Sequence, residues 1–139
     1  SGLRPDRLIL EITESQIMRA PDLAKHRLQA IRELGVRIAI DDFGTGYSSL
    51  SHLRCFPVDE LKIDRTFVAL LEDGERGASL VALARSLGVE VVAEGIERQA
   101  QHVFLANLGC DTGQGYLFSR PLESQHVAAY VAELGAAVR

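Results

Sequence analysis

One pattern recurs along these 139 residues and limits what they can fold into. A short apolar run is followed by a polar turn, an amphipathic stretch, a glycine and another apolar run. The runs are Leu8–Thr13, Val36–Asp42, Glu60–Asp64, Val89–Gly95 and Gly113–Phe118. Their length and β-branched content predict strands. Between them the apolar spacing predicts helices over Asp22–Leu34, Ala78–Leu87, Gln99–Leu108 and Ser124–Leu134, with a short one over Ser48–Arg54. In the first helix Leu23, His26, Arg27, Ala30, Ile31 and Leu34 share one face. Gly35, Gly88, Gly109 and Gly135 stand as stop signals, and Ser124 as an N-cap. Strand, helix, glycine, strand in repetition means βα units on a parallel sheet. About five units fit, against the eight of a complete (β/α)8 barrel. The chain is therefore a five-stranded open sheet or an incomplete barrel.

The strand ends separate these two folds. Four of the runs carry charges near their C-terminal ends: Glu11 and Glu14, Asp41 and Asp42, Lys62 and Asp64, Glu94 and Glu97. The fifth carries Gln114. In barrels, catalytic groups come from the C-terminal ends of several strands and converge on one mouth. A doubly wound sheet concentrates its chemistry at one crevice, with a glycine-rich phosphate turn after the first strand, and no such turn follows Thr13. The expected fold is α/β: a partial (β/α)8 TIM-type barrel of about five βα units on a parallel sheet.

If Glu11, Asp41, Asp42, Asp64 and Glu94 converge, five carboxylates face one Lys62. Like charges that close need raised pKa values or bound cations. Hard divalent ions prefer oxygen ligands, and Mg2+ or Mn2+ suits carboxylate-and-water sites. Two such ions could clamp a phosphodiester and activate water, with a lysine beside them to orient or deprotonate that water or to hold a phosphate oxygen. A single charge at a strand end is ordinarily just solvated; four ends in succession argue for a site. Lys62 alone could be a salt-bridge partner in a barrel core. Glu14 straddles its strand end and is expected to reach sideways to a loop. Asp59–Glu60 and Glu72–Asp73 read as solvated turn charges. His26, His52, His102 and His126 have no mutual metal spacing and read as surface or half-buried helix positions. Tyr116 and Phe118 read as packing residues.

Composition narrows the partners. The formal net charge of −4 leaves no basic footprint for long DNA or RNA, while a small anionic ligand stays possible through cations. No apolar run approaches membrane-span length, and no signal-peptide layout opens the chain. Cys55 and Cys110 lie in apolar surroundings and read as buried free thiols, in keeping with a reducing, cytoplasmic setting.

The stretches LILEITES, IAIDDFGTGYSSLSHL, LKIDRTFV, VVAEGIE and GCDTGQGYLFSRPL, in this order from Leu8 to Leu122, resemble the EAL family of cyclic-di-GMP phosphodiesterases. The resemblance implies a modified (β/α)8 barrel that hydrolyses the bacterial second messenger c-di-GMP to linear pGpG with Mg2+ or Mn2+, at a two-metal site in the complete domain. By position it implies metal ligands at Glu11, Asp41, Asp42 and Glu94, with Asp42 touching both ions. It implies a catalytic group of Lys62, which contacts the hydrolytic water, with Asp64 beside it and Glu94. It implies substrate or loop roles for Glu14, Phe43, Gly44, Thr45, Gly46, Glu97, Gln114 and Gly115. The loop over Phe43–Ser49 is implied in substrate binding and dimer coupling.

The departures from the family pattern matter as well. The Glu-Ala-Leu motif itself, the first barrel strands with their substrate-holding arginine, and an asparagine metal ligand are absent from these residues. Arg98 stands where the family often has threonine. Residues 1–139 are thus expected to be the C-terminal part of one EAL domain, with low or no activity alone. Expected partners are c-di-GMP, a homodimer mate or upstream sensor or GGDEF domains, with no membrane contact from this segment. The expected location is the cytoplasm, or the cytoplasmic side of a larger membrane-bound sensor. The alternative function is a non-catalytic c-di-GMP receptor or a regulatory and dimerisation module, motivated by the missing strands.

Overall fold

A computed structural model describes residues 2–43, 55–69, 81–82 and 84–137. Among these, strands β1 (Ile9–Thr13), β2 (Arg37–Phe43), β3 (Glu60–Ile63), β4 (Glu90–Ala93) and β5 (Thr112–Gly113) form one parallel sheet in the order β1-β2-β3-β4-β5. Every strand lies beside its neighbour in sequence, with no reversal of order. That is the arc of a (β/α)8 barrel rather than a doubly wound sheet, as the strand ends implied. The helices are α1 (Glu14–Arg19), α2 (Pro21–Glu33), α3 (Arg65–Ala69), α4 (Gln99–Asn107) and α5 (Ser124–Ala137), with a 3-10 turn at Pro5–Arg7. Residues 81, 82 and 84–86 are also helical.

Side chains alternate across each strand, and the two faces of this sheet differ in kind. The outer face carries Ile38 and Ile40, Leu61 and Ile63, Val91 and Ala93, all fully or almost fully buried. They pack with Ile17, Leu28, Val68, Ile96 and Leu105 into one core between sheet and helices. Each such aliphatic side chain contributes about 1.5–3 kcal/mol by leaving water. The inner face instead carries Glu11, Arg37, Asp41, Glu60, Lys62 and Glu90.

The N-terminal end of that inner face is a closed ion-pair network. Arg37 of β2 meets Glu60 of β3 at 2.9 Å and Glu90 of β4 at 2.5 Å. Beside it, Asp59 accepts the Ile38 amide at 3.0 Å and Arg32 at 3.2 Å. Asp59 and Glu60 were expected to be solvated turn charges. The structure corrects this, because Glu60 is buried and its carboxyl is pushed up by that burial, with Arg37 opposing. Glu72 and Asp73 lie outside the described residues.

Several local expectations change. The buried stripe of α2 is Ala24, Leu28 and Ile31, whereas Leu23 and Leu34 are exposed, as are His26, Arg27 and Ala30. Leu10, Ile12 and Leu23 instead line an apolar groove along β1, whose other edge pairs with no strand among the described residues. Helix α1 has a capping box, with Thr13 Oγ1 accepting the Gln16 amide and Gln16 Oε1 accepting the Thr13 amide. The fifth strand ends at Gly113 instead of Phe118, because residues 116–118 form a turn. Helix α5 runs through Gly135 to Ala137; a helical glycine costs only about 1 kcal/mol relative to alanine. Cys55 is exposed, since Phe56 takes the buried place in that turn, and Cys110 is half-buried. His26 and His126 are exposed and His102 is half-buried, as expected. The helix expected over Ser48–Arg54, His52, and part of the one expected over Ala78–Leu87 lie outside the described residues.

Asp64 caps α3. Its Oδ1 accepts the Thr66 amide at 2.8 Å and the Thr66 hydroxyl at 2.5 Å. Burial alone would raise its carboxyl, but these bonds outweigh burial and hold it below the ordinary 3.8. A depressed carboxylate stabilises the fold above its unfolded pKa, and that contribution is lost as pH falls through the folded value.

Two outcomes follow. Leu28→Ala should cost about 2–5 kcal/mol in urea unfolding, while Leu34→Ala should stay within about 0.5 kcal/mol; equal costs would put the wrong face of α2 against the sheet. Asp64→Ala should cost about 1 kcal/mol at neutral pH. The gap from wild type should shrink as pH drops below 3.8, and a gap independent of pH would exclude an ionised cap.

Candidate active site

The pair Asp41–Asp42 sits at a break in strand register. Ile40 pairs with Leu61 and Phe43 with Ile63, so two aspartates on β2 stand opposite the single Lys62 of β3. This is a β-bulge, which aims side chains that regular pairing would turn away. Asp42 has φ 55°, the only left-handed non-glycine residue among those described. Aspartate tolerates that conformation better than most residues, at a cost of about 1–2 kcal/mol. The Asp42 amide donates to Asp41 Oδ1 at 3.0 Å.

Lys62 is the centre of the site. Its Nζ lies 2.9 Å from Glu11 Oε2, 3.3 Å from Asp41 Oδ1 and 2.7 Å from Glu94 Oε1. Those acids come from β1, β2 and the end of β4, so three strands converge on one atom. The Lys62 side chain is 11% exposed. Burial pulls its pKa down, but the hydrogen bonds to Glu94 and Glu11 and the charges of Glu94 and Asp41 outweigh burial and leave it raised. In this arrangement Lys62 is a firmly held cation that can position an anion or a water molecule.

Three carboxylates against one ammonium leave two negative charges, and the exposed Asp42 beside them adds a third. The surplus and the all-oxygen donor set fit a hard divalent cation such as Mg2+ or Mn2+. Among the described residues, no three acidic, histidine or cysteine side chains are grouped to cage a cation as they stand. Lys62 stands between the acids, so cation and ammonium draw on the same oxygens.

A 340 Å3 cleft adjoins this cluster, and Glu94 belongs to both. Asp64, Glu97, Gln114 and Gly115 line it too, together with Arg65, Gly95 and Tyr116. Its floor is fixed by backbone contacts. Gly95 has φ 69°, and a Cβ there would lie 2.4 Å from Arg65 Cβ. A Cβ on Gly115 would lie 2.1 Å from the Ile96 carbonyl oxygen. The Glu97 and Arg98 amides both donate to Oε1 of Gln101, which is buried and whose Nε2 donates to the Val68 carbonyl.

Most expected site residues thus gather in two adjoining places: Glu11, Asp41, Lys62 and Glu94 in the cluster, and Asp64, Glu94, Glu97, Gln114 and Gly115 around the cleft. Glu14 is buried at the start of α1, and Phe43 is buried in the core. Phe43, expected in a substrate or loop role, closes β2 with its ring in the core, directly before the expected loop. Gly44, Thr45 and Gly46 lie outside the described residues. Arg65, Gln101 and Tyr116 were not singled out from the sequence for the site. Of these only Gln101 had a local signal, a glutamine at the third position of a helix.

Comparisons with known proteins agree with this geometry. The EAL domain profile matches residues 1–121. The chain is 48% identical over 135 residues to the bifunctional diguanylate cyclase/cyclic di-GMP phosphodiesterase MucR of Pseudomonas aeruginosa, covering 94% of this chain and 20% of MucR. It is 44% identical over 132 residues to the cyclic di-GMP phosphodiesterase RocR of the same organism, covering 92% of this chain and 34% of RocR. It therefore spans about a fifth to a third of the length of these relatives. Among solved structures, the PaMucR phosphodiesterase in complex with c-di-GMP matches at TM-score 0.85 and 45% identity, over 91% of this chain and 53% of that one. The Klebsiella pneumoniae BlrP1 manganese/cy-diGMP complex matches at TM-score 0.79 and 40% identity, over 86% of this chain and 32% of that one. With the profile covering most of its length, the chain belongs to the EAL domain family.

Proposed function

We propose that this chain is the C-terminal part of an EAL domain that hydrolyses c-di-GMP to pGpG with Mg2+ or Mn2+. The observation that carries the reading is the convergence of Glu11, Asp41 and Glu94 on Lys62 at the strand ends, in a family whose named relatives are cyclic di-GMP phosphodiesterases. In the reaction, water oxygen bonds to one phosphorus, the ring P–O3′ bond breaks, and the 3′ oxygen leaves with a proton. Glu11, Asp41, Asp42 and Glu94 would hold the cations. The chemistry such ions supply when bound is acidification of water and neutralisation of phosphate charge. Lys62, protonated, holds a phosphate oxygen or orients the water, and Asp64 keeps α3 against the cleft beside it. Glu97, Gln114 and Gly115 meet the substrate, and Glu14 steadies the loop after Phe43, Gly44 to Gly46 included.

The setting follows from this reading. The chain works in the cytoplasm on a small cyclic dinucleotide, coupled to a second copy or to sensor or GGDEF domains. No helix of the described residues is long and apolar enough to cross a membrane. One observation favours a second reading, a receptor that binds without turnover: Lys62 already occupies the centre of the acids.

The test is release of pGpG from c-di-GMP, followed by chromatography with Mn2+. The full-length protein should hydrolyse it, and Asp41→Asn or excess EDTA should reduce the rate at least about 100-fold. The 139-residue chain alone should be slow, because among the described residues β1 and β5 are unpaired on their outer edges. Binding without pGpG would establish the receptor, and unchanged turnover in Asp41→Asn would remove the assigned site.

A further inference from the structure

We infer that Tyr116, braced by Arg120, is the stacking platform for one guanine base of the nucleotide; the inference rests on the c-di-GMP reading above. The sequence reading made Tyr116 a packing residue. The structure leaves it 58% exposed at the edge of the cleft. A large aromatic ring outside the core calls for another partner, since rings gain most by covering apolar area.

The ring is nonetheless held in place. The Arg120 guanidinium lies over the ring at 5.2 Å from its centroid, a cation–π contact, while the residue as a whole keeps more than half its surface exposed. Its backbone is pinned on both sides. The Ile96 amide donates to the Gln114 carbonyl at 3.0 Å, the Leu117 amide to the Ile96 carbonyl at 2.9 Å, and the Phe118 amide to the Gly115 carbonyl at 3.1 Å. Gly115 packs so closely on the Ile96 backbone that no side chain fits there. A ring fixed before binding loses little freedom when a base settles on it.

The surroundings suit a nucleotide. Glu94 lies both in the cleft with Tyr116 and in the Lys62 cluster. One molecule lying in the cleft can therefore set a base on Tyr116 while its phosphodiester points to the acids. Arg65 supplies positive charge to the same cleft, and Asp64 and Glu97 supply acceptors that suit the N1–H and N2–H2 donors of guanine.

The test compares Tyr116→Phe, Tyr116→Trp, Tyr116→Leu and Tyr116→Ala in the full-length protein. Calorimetry with c-di-GMP and Ca2+ gives the affinity, and quenching of a cyclic dinucleotide carrying 2-aminopurine gives the stacking. The aromatic variants should bind within about threefold of wild type and keep the quenching. Leucine and alanine should weaken binding roughly tenfold or more and abolish quenching. All four should melt with wild type, because the side chain is largely outside the core. Wild-type binding with unaltered affinity and quenching in Tyr116→Leu and Tyr116→Ala would overturn the platform and leave the proposed function standing. Failure of wild type to bind c-di-GMP would overturn the function, and the platform with it.

Discussion

The ammonium of Lys62 and the carboxylates of Glu11, Asp41 and Glu94 make one another possible. A lysine pointing into a sheet interior loses hydration and would tend to give up its proton. Three carboxylates brought together by three strands would repel. Put together, each attraction at about 3 Å acts over a shorter distance than the repulsions among acids arranged around the ammonium, so the cluster holds with Lys62 charged. It still carries surplus negative charge, and on the proposed reading a divalent cation would offset that surplus. The bulge at Asp41–Asp42 belongs to the same constraint. Two aspartates stand opposite one lysine because β2 gains a residue on β3; Asp41 reaches the ammonium, and the pairs on either side of the bulge hold Asp42 in its left-handed conformation.

The remainder of the sheet keeps that cluster in position. The outer face supplies the apolar area, while the inner face is polar at both ends. Arg37, Glu60 and Glu90 close the N-terminal end with their charges paired, which is the end where barrels spend residues on stability. At the C-terminal end three carboxylates face the one ammonium of Lys62, so the charges there are left unbalanced. The cleft wall is built by other means. Gln101 ties the loop carrying Glu97 to α3, and Gly115 lets the Gln114–Tyr116 segment press on Ile96.

Much of this was legible in the sequence because it depends on period and position. The apolar runs gave the strands, and charges at four successive strand ends pointed to a barrel mouth. What was not legible depends on three-dimensional detail. The α2 pattern admits two neighbouring faces, and only the sheet and α1 select Leu28 over Leu34. Helix α1 itself was overlooked although Thr13 and Gln16 spell a capping box. The run Gly113–Phe118 looks like a strand by composition, yet Gly115 turns it, because contact with the Ile96 backbone outweighs β-propensity. Asp64 read as a site acid and also proves to be a helix cap, a dual use that no spacing announces. Tyr116 read as a packing residue because aromatic residues usually are, and its exposure comes with that same turn.

The most direct measurement is a thermal melt of Lys62→Met against wild type, in chelator and in millimolar Mg2+. Methionine keeps the length of the stem and removes the charge. If the ammonium offsets the acids, the variant should lose about 1–2 kcal/mol in chelator. It should also recover more stability from Mg2+ than wild type does, because the cation then replaces the missing charge. A variant that melts at or above wild type in chelator, and that gains nothing extra from Mg2+, would contradict the account.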